Sequence, residues 1–212
     1  MLDERVLGYI DELIPERNEL LMSMERYANE NSVPIMELSG IEAMLQLLRI
    51  QQPKTILEVG TAIGYSALRM VFAIPQTTVV TIERDVERSA MAEKYIEMAG
   101  KQDQIRLIKG DALEVEEEIK AFAPFDCIFI DATKGKYKQF FELYSGYLSD
   151  NGIIITDNVL FKGLVCETNF ETRRMRSLIK KLNDFNKFIM NHHDFDTVIL
   201  PVGDGVAISK KR

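Results

Sequence analysis

Apolar positions first recur at helical spacing and then, past Pro53, collect into short unbroken runs. Residues 2–14 and 16–31 each carry one apolar face, and Pro15 between them suits the first turn of the second helix. Asn31-Ser-Val-Pro-Ile-Met36 is rich in helix breakers and reads as a loop. Ser39-Gly-Ile-Glu42 has capping-box spacing and opens a third helix that ends near Gln52-Pro53. From Thr55 the elements alternate, with strands over 55–60, 78–83, 104–109, 126–130 and 152–156 and helices over 65–73, 85–99, 112–121, 136–148 and 171–190. Runs such as Ile128-Phe-Ile130 and Ile153-Ile-Ile155 lack a polar face, as parallel strands covered on both sides require. Thr197–Leu200 and Val206–Ser209, joined by Pro-Val-Gly-Asp-Gly205, read as an antiparallel hairpin. The pattern predicts one α/β domain over 1–212, with a helical addition over 1–52 and a doubly wound, mostly parallel seven-stranded sheet over 55–212. The added helices either close over a ligand or form an oligomer contact; periodicity does not choose.

The break between the first strand and its helix is the first chemical signal. In Thr55-Ile-Leu-Glu-Val-Gly-Thr-Ala-Ile-Gly-Tyr-Ser66 a buried strand ends in glycines that let a ligand approach the backbone, just before a helix start with unpaired N–H groups. The second strand ends in Glu83, at the offset where an acid takes ribose hydroxyls. Ligands of such sheets sit beyond the carboxyl ends of the strands, which makes Glu58, Gly60, Glu83, Gly110-Asp111-Ala112, Asp131 and Asp157-Asn158 candidates. Each aspartate alone is more simply a turn or capping residue. Together, Asp131, Asp157 and Asn158 bring two carboxylates and a carboxamide to neighbouring strand ends, a donor set for a hard divalent cation such as Mg²⁺.

Charge narrows the partners. The net charge of −7 argues against indiscriminate binding to nucleic acid or anionic membrane. Between Ala132 and Met190, however, ten Lys or Arg face six Asp or Glu, so this part is locally basic: a solvated face or a site for a specific polyanion. Two cysteines, Cys127 and Cys166, make neither a disulfide framework nor a zinc set. No apolar run approaches membrane-spanning length and the start of the chain lacks a signal peptide's apolar centre, so the expected compartment is the cytoplasm. His192-His193, at the end of the last helix, are expected to point in different directions as surface or packing residues.

Leu57-Glu-Val-Gly-Thr-Ala-Ile-Gly-Tyr-Ser66, Gly110-Asp-Ala112, Phe129-Ile-Asp-Ala132, Thr156-Asp-Asn-Val159 and Leu200-Pro-Val-Gly-Asp-Gly205 together resemble the metal-dependent O-methyltransferases of the catechol and caffeoyl-CoA type, from about Ser39 onward. Within that family the compact loops look most like the bacterial tRNA 5-hydroxyuridine methyltransferases. The resemblance implies a Rossmann-like methyltransferase fold, a homodimer, and S-adenosyl-L-methionine in the Gly60–Gly64 crevice. It places Glu58, Gly60 and Asp131 around the cofactor, the ribose on Glu83 and the adenine near Asp111 and Ala112, with Ser66 and Met36 completing the shell. It implies ligation of Mg²⁺, or Mn²⁺ or Ca²⁺, by Asp131, Asp157 and Asn158, with Lys134 and Asp131 as catalytic residues. Thr133-Lys134 stands where the family often has Asp-Lys, and no counterpart of the caffeoyl-CoA branch's substrate loop is evident.

A hydroxyl beside a second oxygen is the edge such a site would recognise, and both 5-hydroxyuridine and a catechol present one. The basic residues favour tRNA: Lys134, Lys136, Lys138 and Lys162 near the site, and Arg173, Arg174, Arg176, Lys180 and Lys181 on the last helix. Phe161, Phe170 and Tyr137 are candidates to stack on a base. A small catechol is the alternative substrate. A non-catalytic nucleotide-binding protein leaves Asp131, Asp157 and Asn158 without a purpose, and a nicotinamide oxidoreductase lacks its full glycine motif.

Overall fold

A computed structural model describes residues 4–212. Three helices come first: α1 (Glu4–Leu13), α2 (Glu19–Glu30) and α3 (Leu38–Gln51). The alternating part follows as β1 (Thr55–Val59), α4 (Tyr65–Ala73), β2 (Thr78–Glu83), α5 (Val86–Met98), β3 (Ile105–Lys109), α6 (Glu116–Lys120), β4 (Phe125–Ile130), α7 (Tyr137–Tyr144), β5 (Leu148–Thr156) and α8 (Arg173–Met190). The hairpin is β6 (Phe195–Leu200) and β7 (Val206–Lys211).

The seven strands lie in the order β3-β2-β1-β4-β5-β7-β6, parallel except for β7, which runs antiparallel to both neighbours. Side chains alternate across the sheet and build two cores. Ile56, Cys127, Phe129, Ile153 and Ile155 face α2, α3 and α4; Leu57, Val59, Ile128, Ile130 and Ile154 face α6, α7 and α8. This two-sided burial is why the strands read as unbroken apolar runs. Chain order reverses between β1 and β4, so the crevice opens there, beside the glycine turn.

Local details depart from the sequence expectations. Pro15 does not open α2; the helix starts at Glu19, where the Asn18 side chain accepts from Leu21 N at 2.9 Å. Ser39 does not cap α3, which begins one residue earlier behind Glu37, and Glu42 instead pairs with Arg69. The helix expected over 112–121 shrinks to α6 because Asp111 holds the preceding residues in a turn, accepting from Leu113 N with its side chain and from Glu114 N with its carbonyl. The strand expected over 152–156 extends back to Leu148, which pairs with Phe125 across a register shift. His192 and His193 lie beyond the end of α8, and their rings stack 5.1 Å apart at 7° rather than diverging as they would on a helix.

The β6–β7 turn reaches the carboxyl ends of the parallel strands. Gly205 accepts from Val159 N at 3.0 Å, and the Asp204 carbonyl accepts from Leu160 N and Phe161 N at 2.9 and 3.1 Å. Its partner glycine, Gly203, comes within 3.3 Å of the Gly40 Cα on α3, measured from where a Cβ would stand.

Candidate active site

The glycine turn is dictated by a close approach between neighbouring strand ends. Gly60 has φ +108°, and a Cβ there would stand 2.0 Å from the Asp131 carbonyl oxygen. Backbone bonds tie the strand ends together: Gly60 N donates to Ile82 O, Asp131 N to Val59 O and Asp157 N to Ile130 O, at 3.0–3.1 Å. A cavity of about 250 Å³ sits above them.

Met36, Gly60, Ser66, Glu83, Asp111, Ala112, Asp131, Lys134 and Asn158 all line this cavity, so most of the residues singled out in the sequence converge. Glu83 is 9% exposed, and its two oxygens accept from Ala62 N and Asp85 N, each at 2.8 Å. Asp111 receives Leu113 N at 3.0 Å and lies near Arg84 and Lys136; that backbone bond and these cations hold its pKa below the usual carboxylate range. Glu58 does not line the cavity. It is fully buried beneath the wall, where Ser66 Oγ and Thr81 Oγ1 donate to it. Burial, helped by the charges of Asp131 and Glu83 and opposed by these two hydroxyls, pushes its pKa up to about 7.

Met36 arrives from the segment between α2 and α3, together with Pro34 and Ile35. A polar network that periodicity does not disclose holds that segment down. Arg17 forks onto Glu25 with two 2.8 Å bonds, Tyr65 Oη donates to Glu25, Arg69 donates to Tyr65 Oη at 2.7 Å, and Arg69 also pairs with Glu42. The network clamps α2 and α3 onto α4, and Tyr65 itself lines the cavity. The N-terminal helices therefore contribute to closing the site, while Tyr9 and Leu13 on α1 remain exposed.

Asp131, Asp157 and Asn158 do meet at the ends of β4 and β5. Asn158 Nδ2 donates to Asp157 Oδ2 at 3.0 Å, and Lys134 Nζ donates to Asn158 Oδ1 at 2.7 Å. Asp157 is 1% exposed and lies below the cavity wall. Burial raises the pKa of both aspartates; Asp131 adds to the effect on Asp157, and Lys134 counters it. Two carboxylates, Asp157 buried and Asp131 half-buried, with the Asn158 carboxamide beside them and one ammonium opposite, form a hard, electron-rich donor set that suits a divalent cation. Asn158 takes φ 57° to bring its side chain inward, a conformation asparagine tolerates better than most residues.

A second cavity of about 540 Å³ adjoins the first across Ala132, Thr133 and Lys134. Phe161 forms one wall, with its ring centre 5.0 Å from Lys134 Nζ, and Arg174, Leu178 and Lys181 of α8 form another. The basic helix thus presents part of its charge to the site. Arg173, Arg176 and Lys180 are exposed but line neither cavity, and Lys138 pairs with Glu142 instead. Lys136 belongs to the first cavity, beside Arg84 and Arg88, which sequence reasoning missed. Of the three aromatic candidates only Phe161 borders a cavity; Tyr137 is fully buried and Phe170 lines neither.

The sheet order, the glycine turn and the acid at the end of β2 define an S-adenosylmethionine-dependent methyltransferase. The profile of the O-methyltransferase family matches residues 12–212, and the chain belongs to that family. It is similar to the catechol O-methyltransferase of Niastella koreensis, 33% identical over 171 residues covering 78% of this chain and 77% of that one. It is also similar to the caffeoyl-CoA O-methyltransferase of Populus kitakamiensis, 31% identical over 78% of this chain and 73% of that one. A solved putative caffeoyl-CoA O-methyltransferase from Staphylococcus aureus superposes with a TM-score of 0.91 at 33% identity, covering 100% of both chains. The SAH-bound Podospora anserina methyltransferase PaMTH1 superposes at 0.85 with 26% identity, over 99% of this chain and 94% of that one. The protein is an S-adenosylmethionine-dependent O-methyltransferase of the catechol and caffeoyl-CoA type. Among the described residues no helix is long and apolar enough to cross a membrane.

Proposed function

We propose that the enzyme methylates the 5-hydroxyl of 5-hydroxyuridine at the wobble position of tRNA, giving 5-methoxyuridine, with a divalent cation held by Asp131, Asp157 and Asn158. The observation that carries the tRNA reading is the second cavity, where Arg174 and Lys181 stand beside Phe161 and Lys134 on an otherwise acidic protein. An aromatic wall suits a base, and cations lining the same cavity suit the phosphates on either side of it.

The cofactor brings an electrophilic methyl group, and a cation, when bound, favours the deprotonated acceptor hydroxyl. The chain's own residues then do the rest. Glu83, with both oxygens fixed by backbone N–H groups, is oriented to receive ribose hydroxyls. Met36 and Tyr65 cover the reacting region and limit water, held by the Arg17–Glu25–Tyr65–Arg69 network. Lys134 Nζ, fixed by Asn158 Oδ1 and the Phe161 face, is placed to steady the acceptor's oxyanion as an ammonium, or to take the acceptor's proton once it is itself neutral. Positioning two reactants in adjoining cavities is the main contribution of the protein.

A small catechol is the second reading, favoured by the likeness to the Niastella catechol O-methyltransferase. Nucleoside mass spectrometry of tRNA from cells with and without the gene separates the two. Loss of 5-methoxyuridine with gain of 5-hydroxyuridine is expected; an unchanged nucleoside profile would leave the catechol reading standing.

A further inference from the structure

Among the described residues, two buried side-chain polar atoms have no hydrogen-bond partner, the Tyr137 hydroxyl and Asn186 Oδ1. Tyr137 opens α7, is fully buried, and packs its ring edge-on against Phe185 at 5.5 Å. The carboxylates whose charges act on its hydroxyl are Asp131, Asp157 and Asp204. Asn186 follows Phe185 on α8 and donates Nδ2 to Val159 O at 2.8 Å, one residue past Asn158. Packing alone would be served by phenylalanine, which the chain uses at 140, 141, 185 and 188 on these same two helices. A buried hydroxyl is unfavourable unless its hydrogen bond is used.

The two unmet groups are complementary, one a donor and the other an acceptor, on helices that pack together. We propose that Tyr137 and Asn186 are positioning residues for the cation site, sharing one buried water that donates to Asp157 and fixes the orientation of that carboxylate. Such a water accepts from Tyr137 Oη, donates to Asn186 Oδ1, and keeps its second hydrogen for the carboxylate, the usual number of partners for an internal water. Asn186 then restrains the 157–159 segment twice, at the Val159 carbonyl and through the water. The inference rests on the cation reading of Asp131, Asp157 and Asn158. Ligating carboxylates are generally held by groups of this kind, and losing one weakens metal affinity about 10- to 100-fold.

The test is Mn²⁺ binding, followed by electron paramagnetic resonance, in the full chain and in Tyr137→Phe, Asn186→Leu, their double variant and Asp157→Ala. Each single variant is expected to weaken Mn²⁺ binding about 10-fold or more, and the double variant no further than the weaker single one, because both act through the same water. Tyr137→Phe should keep the native melting temperature, which separates positioning from folding. Affinity of Tyr137→Phe within about twofold of the native protein, or additive effects in the double variant, would overturn the proposal while Asp157→Ala still abolishes binding. If Asp157→Ala binds Mn²⁺ as the native protein does, the cation reading itself fails and the proposal falls with it.

Discussion

Replacing Glu58 with glutamine isolates the cost of one carboxylate placed wholly inside the protein. Its pKa of about 7, against an ordinary value of 4.5, means that the folded protein holds this proton more tightly than the unfolded chain does. The stabilisation that goes with the proton is therefore complete below the unfolded value and is lost as pH rises through the folded one. A shift of this size corresponds to about 3 kcal/mol, of which about 2.5 kcal/mol falls between pH 5 and pH 8. Glutamine keeps the shape and stays neutral. Its Oε1 accepts from Ser66, and its Nε2 donates to Thr81, whose hydroxyl then turns its hydrogen to Thr61 Oγ1, 2.5 Å away. Urea unfolding of both proteins from pH 5 to pH 8 should show Glu58→Gln gaining on the native enzyme as pH rises, by about 2.5 kcal/mol over the range. The difference between the two curves removes the contribution of every other titrating group. A difference that stays constant, or one that shrinks with pH, would show that Glu58 is ionised when folded and that the two hydroxyls outweigh its burial.

Asp157→Ala should lower methyl transfer by about 100-fold or more while calorimetry finds SAH affinity nearly unchanged; full turnover of chelator-treated enzyme would count against a cation. Glu83→Ala should weaken SAM and SAH alike, by about tenfold or more for the loss of a charged acceptor, and calorimetry finding native affinity in this variant would contradict the ribose assignment. Joint replacement of Arg174 and Lys181 by alanine should lower the log–log salt slope of tRNA binding by about two and leave a free catechol or free 5-hydroxyuridine turned over as before. An unaltered slope would make both residues ordinary surface. Gly60→Ala should destabilise the fold by more than about 3 kcal/mol, read as the urea midpoint, since the new methyl would meet the Asp131 carbonyl; a native midpoint would mean that β1 and β4 separate easily.

The sheet and the site differ in how far the sequence discloses them. Strand runs such as Ile153-Ile-Ile155 and the glycine turn announce themselves because burial on both faces and positive φ each restrict residue choice sharply. Asp131, Asp157 and Asn158 are legible for a similar reason: they sit where apolar strands end, and topology alone brings those ends together. What stayed hidden depends on contacts between distant segments. Nothing local distinguishes Glu25 or Arg69 from other helical charges, yet the two are joined through Tyr65. Likewise Ser39 has the right spacing for a cap, but Glu42 is drawn away by Arg69. Position on β1 points Glu58 toward the cofactor crevice, whereas its carboxylate is buried under the cavity wall against Ser66 and Thr81. Among the nine basic residues named between 134 and 181, periodicity could not select Arg174 and Lys181, which line the second cavity.

The position of β7 between β5 and β6 has a consequence for how the enzyme is made. During synthesis β6 leaves the ribosome before β7, and it has no native partner strand until β7 has docked against β5. The turn between them carries the backbone groups that hold Val159, Leu160 and Phe161. A nascent chain that already displays the glycine turn and both aspartates would thus still lack the support that shapes its second cavity. Catalytic competence would arrive late and abruptly, with the docking of one strand, and a partly made chain would meet S-adenosylmethionine before it could spend it.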